Sequence, residues 1–191
     1  MDPFTFKFLS SVDKHPDRPF LIFPDDRVSY EELYVGALNT AKSLHSMDVQ
    51  RGDHVGILMA NSIEYVEVLI GAAFLGAIPV LYNGRFKARE ISHVTSDAEI
   101  KVIVTSDQID EHIDYGQLLL SALPGLDAQH YGRTNFQIND APSLQGAVML
   151  GGKKLTGFID EGTFKGMSKG IPNDKITANI QTTRSEDPAV M

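Results

Sequence analysis

The stretch HVGILMANSIEYVEVLIGAAFLGAIPVLY, residues 54–82, decides the fold of this protein. Its first part, residues 54–60, is continuously apolar, which is typical of a strand covered on both faces of its sheet. Residues 63–75 then predict a helix that is apolar nearly all round, and Gly76 suits the left-handed position that ends such a helix. Residues 78–82 predict a second buried strand. A strand, a helix and a strand in this order indicate a right-handed crossover and parallel pairing.

Helices and strands continue to alternate on both sides of this unit. Upstream, residues 20–23 and 27–29 predict a hairpin around the turn-forming residues 24–26. Two capping boxes are predicted, one from Ser29 with Glu32 and one from Asn61 with Glu64. The helix after Ser29 carries an apolar stripe at helical spacing, formed by Leu33, Ala37, Ala41 and Leu44. Downstream, residues 88–95 predict a short helix and residues 101–105 a strand. The predicted fold class is therefore α/β, with a mainly parallel sheet and flanking helices.

The pattern weakens after residue 107. Residues 115–123 predict a helix, and residues 147–150 predict a strand that ends at Gly151 and Gly152. Residues 161–188 are polar, with scattered Gly and Pro and no sustained period, so we expect a mobile or partly ordered connection. The chain thus divides into an N-terminal helix and hairpin (1–28), a βαβ-rich core (29–114), further α/β elements (115–160) and a polar connection (161–191).

Composition narrows the classes of function. The 191 residues carry a net charge of −8 with no Lys/Arg cluster, which disfavours nucleic-acid binding. The absence of Cys excludes disulfides and thiolate metal sites, and it fits a reducing cytosol, so we predict a cytoplasmic location. No signal peptide is expected at the N-terminus. The longest apolar stretch, residues 63–81, is interrupted by carboxylates, glycines and a proline, so no transmembrane segment is expected either.

Several motif matches favour structural explanations. Residues 166–170 fit G-x-S-x-G, but Pro172 interrupts the helix that a hydrolase elbow requires, and no His follows the serine. Gly146 and Gly151 have Walker-type spacing, yet Gly152 occupies the lysine position. The six histidines lack metal-ligand spacing, and none is assigned a site. One further stretch is rich in acidic residues, and we expect it to form a solvated helix face. Its members are Asp107, Asp110, Glu111 and Asp114.

The sequence Asn83-Gly84-Arg85 is the cluster that stands out. It directly follows a predicted buried strand and precedes a short helix. In open α/β sheets, ligands bind outside the carboxyl ends of the strands, and an Arg there can offer a fork of donors to a phosphate. A plain turn with a solvated Arg is the alternative interpretation.

Four stretches in order resemble the opening of the AMP-forming acyl-CoA synthetases, within the adenylate-forming ligase superfamily. Residues 28–33 (VSYEEL) resemble the first core motif of that family, and residues 51–57 (RGDHVGI) with Asn61-Ser62 resemble the strand and turn that follow it. Residues 75–86 (LGAIPVLYNGRF) resemble its second core motif, and residues 187–191 (DPAVM) resemble the approach to its phosphate-binding loop. Asn-x-Arg after the second motif is similar to the CoA ligases in particular.

The resemblance implies a two-step reaction. A carboxylic acid substrate attacks the α-phosphate of ATP to give an acyl adenylate and pyrophosphate, and the thiol of CoA then displaces AMP. It implies ATP, Mg²⁺ and CoA as cofactors of the full-length enzyme, and Arg85 as a residue near the CoA phosphates. It assigns no catalytic residue to this chain, because the nucleotide-handling motifs of the family come later.

We therefore expect this chain to be an N-terminal piece of the large domain of such an enzyme. We expect it to be inactive alone, to bind no cofactor tightly and to have the remainder of its own enzyme as its partner. Self-association through an apolar face left open by truncation is also expected. The alternative is a free-standing, non-catalytic α/β module that binds a small ligand or a protein.

Overall fold

The computed structural model describes residues 3–108, 113–129, 137–184 and 186–191. Its helices are α1 (Phe4–Lys14), α2 (Tyr30–Ser46), α3 (Ile63–Phe74), α4 (Ala88–Asp97), α5 (Tyr115–Ala122), α6 (Glu161–Met167) and α7 (Asn173–Gln181). Its strands are β1 (Pro19–Ile22), β2 (Arg27–Ser29), β3 (His54–Leu58), β4 (Ile78–Leu81), β5 (Ile100–Ser106), β6 (Gly146–Leu150) and β7 (Ile159–Asp160). Single 3₁₀ turns occur at Leu126–Ala128 and Ser168–Gly170.

A five-stranded parallel sheet in the order β4-β3-β5-β6-β7 forms the centre of the molecule. The predicted fold class is confirmed. β1 and β2 pair separately as the predicted antiparallel hairpin. Because β5 lies beside β3 rather than beside β4, the chain crosses back over the first strand of the sheet before it continues outward.

Helices cover both faces of this sheet, and the strand side chains alternate between two cores. In β5, Val102 and Val104 belong to the core formed with α1, α2, α3, α6 and α7. Ile103, between them, belongs to the core formed with α4 and α5. This alternation has the period of two that a strand requires, so β5 is buried on both faces.

Local signals explain where α2 begins and how it packs. The Ser29 hydroxyl accepts a hydrogen bond from the Glu32 N–H at 3.2 Å, and the Glu32 carboxylate accepts one from the Ser29 N–H at 2.8 Å. This confirms the first predicted capping box. The predicted apolar stripe is fully buried, and α2 approaches α3 closely, since a Cβ on Gly71 would lie 2.9 Å from the Ala37 carbonyl oxygen.

The second predicted capping box is wrong. The N-cap of α3 is Ser62, whose hydroxyl accepts from the Tyr65 N–H at 3.2 Å, and not Asn61. Both residues can cap a helix, so the sequence alone leaves a shift of one residue open. At the other end of α3, Gly76 adopts a φ of +69°, as its predicted left-handed position requires.

The predicted mobile connection over residues 161–188 is also wrong. It contains α6, a 3₁₀ turn and α7, which bury Phe164, Ile176 and Ile180 against the core. Asp160 caps α6 by accepting from the Thr163 N–H at 3.0 Å. Each of these helices buries only one or two apolar residues. The segment therefore shows no sustained hydrophobic periodicity in the sequence.

The last residues of the chain are tied to the sheet. The Met191 N–H donates to the Pro79 carbonyl at 2.9 Å, and the Leu81 N–H donates to the Met191 carbonyl at 3.0 Å. These two bonds have the parallel pattern and place Met191 at the outer edge of β4. Arg51 contributes a salt bridge to Asp187 at 2.7 Å. The division into four segments stays a prediction.

Within the described ranges, no helix is long and apolar enough to cross a membrane.

Candidate functional site

The carboxyl ends of β3, β4, β5 and β6 meet at one edge of the sheet, because the four strands run parallel. Four connections leave from this edge, after Leu58, Leu81, Ser106 and Leu150. In open parallel sheets this edge is where ligands bind. We therefore describe it as the candidate site.

Arg85 lies in the connection after β4, as the sequence predicts. Its backbone N–H donates to the Asn83 side-chain oxygen at 2.9 Å, and the Phe86 N–H donates to the Asn83 carbonyl at 2.9 Å. Asn83 thus closes the turn with its side chain and its backbone. Arg85 is exposed, and its guanidinium makes no ion pair within the described residues. An exposed, unpaired guanidinium can contact an anion at this edge.

Gly84 is explained by a neighbour from another element. A Cβ at position 84 would lie 2.8 Å from the hydroxyl oxygen of Tyr115, which is buried at the start of α5. Glycine therefore fits the close approach of Tyr115 to this turn.

Tyr82 holds the end of β4 against α4. Its hydroxyl lies 2.7 Å from the Thr95 hydroxyl, which donates to the Ile91 carbonyl at 2.6 Å. Thr95 uses its proton for Ile91, so Tyr82 is the donor between the two hydroxyls. Burial raises the pKa of Tyr82 to about 12, so this phenol stays protonated and serves as an anchor rather than as a base.

A polar cluster that the sequence did not predict lies after β5 and β6. The Asp107 carboxylate accepts from the Lys153 N–H at 2.7 Å, and its other oxygen is buried without a hydrogen-bond partner in the described part of the chain. Gly151, with φ at +102°, leaves room for that oxygen, since a Cβ there would lie 1.7 Å from it. The Gly151 N–H donates to Glu161 at 2.9 Å. The turn after β6 is therefore held by carboxylates on both sides.

Lys153 connects this cluster to α5. Its ammonium pairs with Asp114, which also caps α5 by accepting from the Gln117 N–H at 3.0 Å. Burial would raise the pKa of Asp114, but the hydrogen bonds from Lys153 and Gln117 outweigh it and lower that pKa below its ordinary value. Asp114 is thus ionised at neutral pH.

The predicted solvated helix face is wrong for the acidic residues that the structure describes. Asp107 lies in the turn after β5, and Asp114 is an N-cap. Asp110 and Glu111 lie outside the described residues. The signal that could have indicated the cluster was Gly151-Gly152-Lys153 directly after a buried strand, a turn sequence followed by a cation.

The other motif matches have structural roles. Residues 166–170 run from the end of α6 into the 3₁₀ turn, so a helix rather than a strand directly precedes Ser168. The Ser168 hydroxyl donates to the Lys165 carbonyl at 2.8 Å. Gly146 begins β6 and Gly151 ends it, as expected of a strand followed by a glycine turn. Among the described residues, no group of three or more His, Asp or Glu could hold a metal ion. His130 lies outside them.

Comparison with known proteins places this geometry in a family. Residues 8–190 match the family described as AMP-binding enzyme. A putative acyl-CoA synthetase, YngI of Bacillus subtilis (strain 168), is 27% identical over 150 residues, which are 78% of this chain and 27% of that protein. The long-chain-fatty-acid–CoA ligase FadD13 of Mycobacterium tuberculosis (strain CDC 1551 / Oshkosh) is 38% identical over 80 residues, 42% of this chain and 16% of that protein. The chain therefore spans only a minor part of these relatives.

The fold agrees with the sequence comparison. The crystal structure of the anthranilate CoA ligase AuaEII in complex with anthranoyl-AMP superposes with a TM-score of 0.69 at 20% identity, over 88% of this chain and 28% of that one. At this identity the likeness concerns the fold. Together with the family match over nearly all of its length, it shows that the chain belongs to the AMP-binding enzyme family, whose members include the acyl-CoA synthetases.

Proposed function

We propose that this chain is the N-terminal framework of an AMP-forming acyl-CoA ligase, which converts a carboxylic acid, ATP and CoA into acyl-CoA, AMP and pyrophosphate. The observation that carries the proposal is the family match over residues 8–190. The names of the relatives, a putative acyl-CoA synthetase and a long-chain-fatty-acid–CoA ligase, support the reaction class. We further propose that the protein acts in the cytoplasm.

The part of this chain in that reaction is to build and hold the edge of the sheet. Asn83 and Tyr115 shape the turn that presents Arg85, and Asp107 with Lys153 fixes the neighbouring turn after β6. Bound ATP would supply the activated phosphate for the acyl adenylate, and bound CoA the thiol. The described residues include no group of three or more His, Asp or Glu that could hold a metal ion, so we assign no step to Mg²⁺ on this chain.

We also propose that the 191-residue chain is inactive alone. The family's nucleotide-handling motifs, which stabilise charge developing on the α-phosphate, are not among the four stretches that resemble the family in this chain. ATP–pyrophosphate exchange tests this, with a panel of carboxylic acids and the full-length long-chain-fatty-acid–CoA ligase FadD13 as the positive control. We expect exchange with the relative only. Exchange by the purified 191-residue chain would contradict the proposed inactivity.

Arg85 is proposed to contact the phosphates of CoA. In an active ligase that contains this chain, Arg85→Ala should raise the KM for CoA by about 10- to 150-fold and leave adenylate formation unchanged. One charge-assisted contact is worth about 1.5–3 kcal/mol, and 1.4 kcal/mol corresponds to about tenfold. Arg89→Ala on α4 is the matched control. An equal loss in ATP–pyrophosphate exchange would assign Arg85 to the first step instead.

The alternative proposal is a free-standing binding module. The coding sequence after Met191 distinguishes it from the ligase proposal. Met191 lies parallel to β4, so a chain that continued in that direction would run towards Asn83 and Arg85. A Gly- and Ser/Thr-rich run that ends in Lys directly after Met191 supports the ligase, because backbone N–H groups in such loops bind phosphates. A stop codon there supports the module.

A further inference from the structure

A cavity of about 110 Å³ lies at the opposite end of β4 from Arg85. Three parts of the chain line it, namely the start of α1, the end of α3 with the residues before β4, and the segment after α7. Pockets that hold drug-sized ligands have volumes of about 300–1,000 Å³. A ligand of this cavity would therefore be smaller, with the size of a simple ion.

Two threonines that line this cavity carry hydroxyls without a partner. Thr5 on α1 is 2% exposed, and its buried hydroxyl oxygen makes no hydrogen bond within the described residues. The hydroxyl oxygen of Thr183, after α7, is likewise buried and unbonded there. Buried hydroxyls normally have a partner, so two of them from distant parts of the chain indicate a polar ligand in the cavity that they share.

The start of α1 gives the cavity a positive character. The N-cap of α1 is Pro3, which offers no side-chain acceptor, and the first turn contains no acidic residue. The first N–H groups of a helix have no acceptor within the helix, and they carry the positive end of the helix dipole. Bound anions are stabilised at such an end, so the helix favours a negatively charged ligand here.

The charged side chains at the cavity favour an anion as well. Arg184 and Asp187 both line the cavity. The Asp187 carboxylate is neutralised by Arg51, whose guanidinium donates to both carboxylate oxygens at 2.7 Å. Two guanidiniums thus lie near a single carboxylate, and the balance of charge around the cavity is positive.

We propose that this cavity binds inorganic phosphate and thereby joins α1 to the segment after α7. The four phosphate oxygens would accept from the hydroxyls of Thr5 and Thr183, from the first N–H groups of α1 and from the guanidinium of Arg184. Each threonine can reach the ion by turning between staggered χ1 rotamers. Water could satisfy the two hydroxyls, but it would leave the positive charge around the cavity without a counter-charge. The proposed site is independent of the ligase reaction.

Calorimetric titration of the 191-residue chain with inorganic phosphate tests the proposal, at an ionic strength held constant with chloride and with acetate as the carboxylate comparison. We expect saturable binding of phosphate that weakens about tenfold in Thr5→Val, which removes one hydrogen bond to a charged group. Thr40→Val on α2 is the matched control, because Thr40 is also buried but does not line the cavity. Absence of phosphate binding, equally tight binding of acetate, or equal losses in the two variants would each overturn the proposal.

The Tm of Thr5→Val separates a binding role from a structural one. Valine has the shape of threonine without the hydroxyl, so the variant loses an unpaired buried oxygen and should keep or raise its Tm in the absence of phosphate. A hydroxyl with a purely structural role would give the opposite pattern, a lower Tm with unchanged phosphate affinity. That pattern would contradict the proposal.

Arg184→Gln tests the role of charge at the same site. We expect phosphate affinity to fall about two- to fivefold, a smaller loss because Arg184 is exposed and solvent screens its charge. Arg89→Gln on α4 is the control, since Arg89 is exposed as well and lies outside the cavity. An equal loss in both variants would mean that phosphate responds only to the net charge of the protein, which contradicts a defined site.

Hydrogen exchange locates the bound ion. Phosphate should slow exchange at the start of α1 and in the segment after α7, because it would bridge the two, and it should leave α5 unchanged. Slower exchange confined to other parts of the chain would contradict the assigned position. All of these measurements use the 191-residue chain without ATP or CoA, so their failure would leave the ligase proposal untouched.

Discussion

Protonation of Glu67 is coupled to folding. The pKa of Glu67 in the folded protein is raised above the ordinary value of 4.5, chiefly by burial. The folded state therefore holds this proton more tightly than the unfolded state does. Its contribution to stability is fully present below the ordinary pKa and is lost as the pH rises through the folded-state pKa.

This coupling predicts the behaviour of Glu67→Gln. Above the titration window the variant should be more stable than the parent protein, because the amide removes the cost of a buried charge. Below the ordinary carboxyl pKa the two should be equally stable. Urea unfolding over a range of pH measures the difference, and a parent protein that gains stability relative to the variant as the pH rises would contradict it.

Arg51 holds the C-terminal segment through one guanidinium. It pairs with Asp187 at 2.7 Å and also donates to the Thr182 carbonyl. Because the Arg51 and Asp187 side chains are 40% and 21% exposed, solvent screens the pair and its contribution is modest. Arg51→Ala should cost about 0.5–1 kcal/mol of unfolding free energy.

Hydrogen exchange measures the local part of that effect. Faster exchange confined to residues 182–191 is expected for Arg51→Ala, and unchanged exchange for Arg89→Ala on the exposed side of α4. Uniformly faster exchange over the whole chain would show that Arg51 contributes to global stability instead.

At the scale of the helix, the question is which of two neighbouring residues, Asn61 or Ser62, caps the start of α3. Ser62 accepts a hydrogen bond from the Tyr65 N–H, whereas the sequence predicted Asn61 as the cap. Ser62→Ala should destabilise the protein by about 1 kcal/mol, and Asn61→Ala by clearly less. Urea unfolding of both variants checks this, and the reverse order would restore the sequence-based assignment.

The two C-terminal helices are integral parts of the core. Phe164 on α6 is 2% exposed, whereas Phe4 on α1 is 42% exposed. Phe164→Ala should cost about 3–5 kcal/mol, because it deletes a buried aromatic ring and leaves a cavity. Phe4→Ala is the matched control and should cost much less. Equal and small effects in calorimetry would mean that residues 161–181 form the mobile connection that the sequence suggested.

At the scale of the whole molecule, self-association through the edge of the sheet is the remaining proposal. β4 is an outer strand, and beside it Val190 and Met191 are 48% and 60% exposed. Apolar side chains at a sheet edge favour contact with a second chain. Light scattering should therefore show a mass that rises with concentration.

Val190→Lys should reduce that association, since a lysine at a sheet edge disfavours pairing. Val35→Lys is the control, because Val35 is similarly exposed, at 47%, on α2. A strictly monomeric parent protein at high concentration would contradict the proposal. An equal effect of the two variants would instead place the contact elsewhere.

The sequence by itself determined the elements of the core and their class. The apolar runs of residues 54–60 and 78–82, the stripe of α2 and the Ser29–Glu32 cap all depend on residues within a few positions of one another. Such signals are local, so they predicted the strands β3 to β6, the helices α2 to α5 and the parallel sheet correctly, whereas α6 and α7 were missed. They also placed Arg85 after a buried strand.

Only the tertiary structure decided which of these elements meet. The order β4-β3-β5-β6-β7, the space that Gly36 leaves for Glu67 and the contact of Asp107 with Lys153 join residues far apart in the chain. The folding of α6 and α7 likewise depends on a core that earlier elements of the chain build. Local periodicity carries no information about such contacts, because they arise from the packing of complementary surfaces and not from neighbouring residues.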